Sequence, residues 1–110
     1  LARGLAEMTA GLEVTVNAVM PGFTQTERTE SILRSTADRH GIPFEQFMHD
    51  YFRDPACSYV AEVGHGTSLI KRLLRPEEVA NLIVYLCSQL GSGTNGTTVR
   101  CDGGATLTAL

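Results

Sequence analysis

Between Val79 and Leu90 the apolar residues fall on nearly every face of a helix: Val79, Leu82, Ile83, Val84, Tyr85, Leu86, Cys87 and Leu90. A helix apolar nearly all round is buried on more than one side, so this segment requires layers of structure about it. Its start is as well marked as its faces. Pro76 takes the first helical position, where a missing N–H costs nothing, and Glu77 and Glu78 set negative charge against the helix dipole. Gly91 is the expected stop.

Strands are expected on both sides of this helix. Leu12 to Val19 alternates Leu12, Val14, Val16 and Ala18 against Glu13, Thr15 and Asn17, a β-rich period of two that Met20-Pro21-Gly22 ends. Thr97 to Cys101 reads as a second short strand, and Asp102-Gly103-Gly104 as a tight turn. Strand, long excursion, helix, strand is the order of a right-handed parallel β-α-β crossover. Parallel strands are normally buried on both faces within larger sheets, so further strands are expected from elsewhere. Ahead of the first strand, Leu1, Leu5, Met8 and Leu12 recur at helical spacing, Arg3 and Glu7 form an i,i+4 pair, and Gly11 is the stop. No capping residue precedes Leu1, so the chain is expected to open inside a helix, as a cut would leave it.

The excursion from Glu27 to Asp54 is helical in pattern but polar, and Gly41 and Pro43 divide it into two short helices. The second carries Phe44, Phe47, Met48, Tyr51 and Phe52 at i, i+3, i+4, i+7 and i+8. On pattern such a stripe is core or partner contact, and a substrate-facing lid with Met48 and Phe52 beneath it is the alternative. Residues 54 to 70 have no clear period, and Gly64-His65-Gly66 marks a flexible loop.

Composition excludes several classes. The chain has 110 residues, the length of one domain, and a formal net charge of -3. Of its nine Lys and Arg only Lys71, Arg72 and Arg75 lie close together, too few for a nucleic-acid footprint. Cys57, Cys87 and Cys101 form neither a disulfide framework nor a zinc pattern, and a reducing cytoplasm suits them. No apolar run reaches membrane-spanning length and no leader is visible, so no membrane is expected. Glu45 and His49 stand four apart on a helix, but without a second matching pair they read as a solvated face.

Three segments carry a resemblance. Val16-Asn17-Ala18-Val19-Met20-Pro21-Gly22-Phe23-Thr24-Gln25-Thr26, then Arg72 followed by Pro76-Glu77-Glu78-Val79-Ala80, then Asn95-Gly96 with Asp102-Gly103-Gly104, stand in an order that resembles the short-chain dehydrogenase/reductase family. The resemblance implies an α/β fold, the C-terminal part of a Rossmann-like doubly wound parallel sheet. Residues 1-110 would be one fragment of a single domain, with 27-70 as a substrate-lid insert. It further implies an oxidoreductase transferring hydride between NAD or NADP and a small-molecule alcohol or carbonyl, and a homo-oligomer formed through the 76-90 helix and last strand. Pro21, Gly22 and Phe23 would flank the nicotinamide ring, the backbone at Thr24 would pair with its carboxamide, and the Thr26 hydroxyl would contact the carboxamide or phosphates. Read from local pattern alone, Pro21-Gly22 is a turn and Thr26 a helix cap.

The departures are as informative. No Gly-rich loop lies between a strand and a helix; Gly91-Ser92-Gly93-Thr94-Asn95-Gly96 follows a helix and precedes a strand, the reverse of the phosphate-binding context. Tyr51, Tyr59 and Tyr85 are followed four residues later by Pro55, Val63 and Gln89, not by the family's activating Lys. No catalytic residue is therefore assigned, and the chain alone is expected to be inactive. The alternative is a non-catalytic remnant of the family that acts only through association.

Overall fold

The structure is a computed structural model, and it describes residues 1–54, 56–64 and 68–107. The chain divides into two compact units, Leu1–Pro21 with Glu77–Cys101, and Gly22–Pro76 with Asp102–Leu110.

The first unit holds α1 (Ala2–Met8), β1 (Ala18–Pro21), all but the first residue of α5 (Pro76–Cys87), a 3-10 turn (Gln89–Gly91) and β2 (Thr98–Cys101). β1 and β2 pair in parallel, Ala18 opposite Thr98 and Pro21 opposite Cys101, which is the expected β-α-β order. The strand expected over Leu12 to Val19 is shorter and later. Ladder bonds need a partner, and β2 offers one only from Ala18 onward, so Val14 to Asn17 stay outside the sheet. Two asparagines join the approach to the ladder instead: the Val16 N–H donates to Asn95 Oδ1 (2.8 Å), Asn17 Nδ2 donates to the Thr94 carbonyl (2.7 Å), and the Thr97 N–H donates to Asn17 Oδ1 (3.3 Å). Arg3 and Glu7 form the expected pair at 2.8 Å.

α5 starts at Pro76 as read, but stops at Cys87 rather than Leu90. Ser88 is the reason, since its hydroxyl donates to the Tyr85 carbonyl (2.8 Å) and accepts from the Leu90 N–H (3.2 Å), so the chain tightens into a 3-10 turn. The expectation of burial on several sides is not met within the described residues. Only Leu86 of α5 is buried, while Ile83, Val84 and Tyr85 are 44%, 66% and 44% exposed. Two strands form too narrow a layer to cover every face of an apolar helix.

The second unit contains α2 (Glu27–Arg39), α3 (Phe44–Arg53) and α4 (Ser58–Val63). α2 and α3 are the two expected short helices, and Gly41, at φ +64, makes the turn between them. α4 was not legible as an element, although Tyr59 and Val63 stand one turn apart and both pack on the core. That core is Leu33, Ala37, Phe47, Tyr51, Phe52 and Tyr59. Phe47 lies 5.8 Å from Tyr51 and 5.2 Å from Tyr59, separations at which aromatic rings attract beyond simple burial. The aromatic stripe of α3 is thus core in the first instance. Of the loop expected at Gly64-His65-Gly66, His65 and Gly66 lie outside the described residues.

Candidate functional site

The candidate site begins where β1 ends. Pro21 closes the strand opposite Cys101, and Gly22 follows. A Cβ on Gly22 would stand 2.6 Å from Asp102 Cα and 2.9 Å from its carbonyl oxygen, so the absence of a side chain there is required by the Asp102 turn. That turn is stiff. The Asp102 carboxylate accepts from the Gly104 N–H (2.9 Å), the Thr106 N–H (3.1 Å) and the Thr106 hydroxyl (2.6 Å).

Beyond Gly22 the chain forms one parallel bridge, Thr24 opposite Leu74. The Leu74 N–H donates to the Phe23 carbonyl (2.9 Å) and the Gln25 N–H donates to the Leu74 carbonyl (2.7 Å). In a parallel bridge the flanking residues supply the bonds, so the N–H and C=O of Thr24 itself point to the other side. Neither has a partner among the described residues. The Thr24 hydroxyl donates to the Gly22 carbonyl (2.9 Å), which steadies the loop. The Phe23 ring packs against the helical core, 6.4 Å from Tyr51 and tilted by 30°. Thr26 caps α2: its hydroxyl accepts from the Thr29 N–H (3.2 Å) and lies 3.0 Å from the Thr29 hydroxyl. A hydroxyl has one proton and two lone pairs, so the cap leaves Thr26 only one lone pair to offer a ligand.

Met48 and Phe52 stand on α3. Phe52 is a core residue, edge-on to Tyr51 at 4.9 Å, and Met48 is half-buried against the same cluster. Both also line an open groove of about 700 Å³. One wall is α3, with Glu45, His49 and Arg53; the other is the segment from Lys71 to Leu73 with Arg75, and Gln25 joins them. The loop residues from Gly22 onward and Met48 and Phe52 therefore share one unit, and Gln25 carries the loop directly into the groove.

Electrostatics in this unit centre on Asp50. Its carboxylate accepts from Gln46 Nε2 (2.8 Å), the Tyr59 hydroxyl (2.6 Å) and His49 Nδ1 (3.1 Å), and these bonds hold its pKa down to about 2. The same bond, to an anion, pushes the Tyr59 phenol up. Burial pushes Tyr51 up to about 12, and its hydroxyl donates to the Gly64 carbonyl. A proton donor working near neutrality needs a lowered phenol pKa, so both buried tyrosines are shifted the wrong way. The Asp50–Tyr59 pair gave no sequence signal because its members lie on different helices. Among the described residues no group of three His, Cys, Asp or Glu side chains could hold a metal, and no helix is long and apolar enough to cross a membrane.

Comparison with known proteins fixes the lineage. The family model described as enoyl-(acyl carrier protein) reductase matches residues 53–106. The oxidoreductase YvrD of Bacillus subtilis is 45% identical over 104 residues, which is 94% of this chain and 36% of YvrD. The chain belongs to the short-chain dehydrogenase/reductase family. Other family relatives are similar at greater distance. The (S)-acetoin-forming diacetyl reductase of Staphylococcus aureus is 31% identical, over 93% of this chain and 36% of its own length. The L-sorbose reductase of Gluconobacter frateurii, solved with NADPH and L-sorbose, superposes with a TM-score of 0.74 at 26% identity, over 97% of this chain and 36% of that one. This short-chain dehydrogenase/reductase chain thus spans about a third of the length of the curated relatives it matches. Its fold is part of the Rossmann-like α/β architecture, and its relatives are oxidoreductases.

Proposed function

We propose that these residues supply the ring-side loop and the substrate cover of an NAD- or NADP-dependent oxidoreductase acting on a small alcohol or carbonyl compound. The observation that carries the reading is the backbone of Thr24, whose N–H and C=O both face away from the Leu74 bridge without partners among the described residues. A primary carboxamide offers one acceptor and two donors in a plane, and an adjacent N–H and C=O is the complement it needs. That match fits a nicotinamide cofactor, which when bound supplies a hydride to a carbonyl carbon. Pro21 and Gly22 fix the approach of this backbone, and Phe23, anchored on Tyr51, keeps it from swinging. Met48 and Phe52 would cover the substrate from α3. The diacetyl and L-sorbose reductases act, by their names, on carbonyl compounds, and the latter was solved with NADPH, which supports the same chemistry here.

The reaction also needs a proton at the substrate oxygen. No Tyr here is followed four residues later by Lys and no Gly-rich loop joins a strand to a helix, and the Tyr51 and Tyr59 phenols are shifted upward, so the 110 residues by themselves are not expected to turn over. Free Cys57, Cys87 and Cys101 suit a reducing cytoplasm. The second reading, a chain acting only through association, draws on the exposed Ile83, Val84 and Tyr85 of α5.

The test is a proton–nitrogen NMR titration of the chain with nicotinamide and with NADPH. The Thr24 amide should be among the most displaced signals, with no NADPH oxidation in the presence of diacetyl. Unmoved amides over residues 22–26 at millimolar nicotinamide would remove the ring-side assignment and leave association. NADPH consumption by the chain would overturn its expected inactivity.

A further inference from the structure

We propose that the groove between α3 and residues 71–75 is an anion-binding site, and that it selects substrates carrying a carboxylate or a phosphate beside the reacting alcohol or carbonyl. The assignment of a substrate rests on the oxidoreductase reading; the anion site itself does not.

The chain carries a formal charge of -3, yet the groove gathers Arg53, Lys71, Arg72 and Arg75, four of its nine Lys and Arg, with Glu45 the one carboxylate among its described lining residues. Charge collected against the sign of the whole chain concentrates an oppositely charged ligand at that place. The floor is apolar, made by Met48, Phe52 and Leu73. An apolar floor with a few charged groups at its rim is the construction of a small-molecule site, and about 700 Å³ is the size of one.

Arg53 is held in place by a neutral partner. Arg53 donates to His49 Nε2 at 2.9 Å. A guanidinium has only donors, so Nε2 accepts and the imidazole proton sits on Nδ1, where it meets Asp50. Arg53 is thereby fixed on α3 with further N–H groups left for a forked contact with a carboxylate or phosphate. Across the groove Arg72 donates to the Leu73 carbonyl at 3.0 Å. Lys71 is the one non-glycine residue with positive φ among the described residues, at +55. A side chain longer than Asn rarely occupies that region, and such strain gathers where a side chain must be aimed. Gln25, next to Thr24, closes the groove on the side of the proposed ring-side loop. A substrate anchored here by its anion would extend toward the segment proposed to face the nicotinamide.

The experiment is an NMR titration of the chain at low ionic strength with inorganic phosphate, with succinate, and with diacetyl as a neutral carbonyl probe. Phosphate or succinate should move the amides of Arg53, Lys71 and Arg72 saturably, and added salt should weaken the effect. Arg53→Gln with Lys71→Gln should lower affinity about ten-fold, and Arg28→Gln on α2, outside the groove, should leave it unchanged. Unaltered Phe47 and Tyr51 signals would certify that the double variant is folded. A stronger response to phosphate assigns a phosphorylated ligand, and one to succinate a carboxylate; both support the site. Equal shifts with diacetyl, or anion shifts that survive the double substitution, overturn it. The Thr24 response to nicotinamide reads the oxidoreductase assignment separately, so each reading can fail without the other.

Discussion

Gly22→Ala tests whether the loop from Gly22 to Thr26 is held by packing against the Asp102 turn. Gly22 does not adopt a positive φ, so alanine is conformationally allowed there. By chain entropy alone it would stabilise the protein by about 0.4–1 kcal/mol. The structure opposes this, because the added Cβ would meet Asp102 Cα at 2.6 Å, its carbonyl oxygen at 2.9 Å and its carbonyl carbon at 3.0 Å. All three are backbone atoms, and the carboxylate of the same residue is tied to Gly104 and Thr106, so Asp102 cannot retreat cheaply. Overpacking of this kind costs about 1–3 kcal/mol. The net loss should be roughly 1–2 kcal/mol, a fall in melting temperature of about 5–10 °C for a chain of this size. Gly4→Ala is the matched control: it lies inside α1 with nothing within 4 Å of the added methyl, and should stabilise by about 0.5–1 kcal/mol. Thermal and urea unfolding of both variants, with the Thr24 amide followed by NMR, gives the answer. If Gly22→Ala is as stable as the parent chain and Thr24 stays in place, the Asp102 contact does not set the loop.

The remaining predictions concern the two units. Asp50 has a folded pKa of about 2 against an ordinary 3.8, so its contribution is complete above about pH 4 and lost as the pH falls through about 2; Asp50→Asn should be less stable than the parent at neutral pH, with the gap closing between those limits. A constant gap down to pH 2 would contradict the bonds from Gln46 and Tyr59. In hydrogen exchange the amides about Phe47 and Tyr51, both fully buried, should be at least as protected as those of α5, and faster exchange there would dissolve the proposed core. The chain should self-associate at micromolar concentration through the exposed face of α5, and Val84→Glu should shift it toward monomer. A monomeric parent chain in sedimentation would remove that interface.

What the sequence disclosed followed local rules. Pro76 with Glu77 and Glu78, the break at Gly41 to Pro43, and the pair Arg3–Glu7 depend on neighbours within a turn or two, and each stands where it was expected. Errors arose where a distant partner decides. Leu12 to Asn17 has the period of a strand, but β2 pairs only from Ala18; the early end of α5 is the exception, a local effect of the Ser88 hydroxyl, which bonds Tyr85 on one side and Leu90 on the other. The loop residues were named from motif order, yet their geometry needed Leu74 and Asp102, fifty and eighty positions along the chain from Thr24 and Gly22. Lys71, Arg72 and Arg75 already stood together in the sequence, but only the fold brings Arg53, eighteen positions before Lys71, to the same groove.

The pairing of Ala18 with Thr98 has a consequence for how the chain is made. The two strands are separated by eighty residues, and the polypeptide passes from one unit to the other after Pro21, Pro76 and Cys101. During synthesis β1 can take up its pairing with β2 only once β2 has emerged, while α2 and α3 can already assemble from adjacent sequence. Closing a loop of eighty residues instead of ten costs only about 2 kcal/mol of chain entropy, but the β1 edge that β2 will cover stays open during the delay. The helical excursion is then the first part to be shielded from water, and the parallel ladder the last.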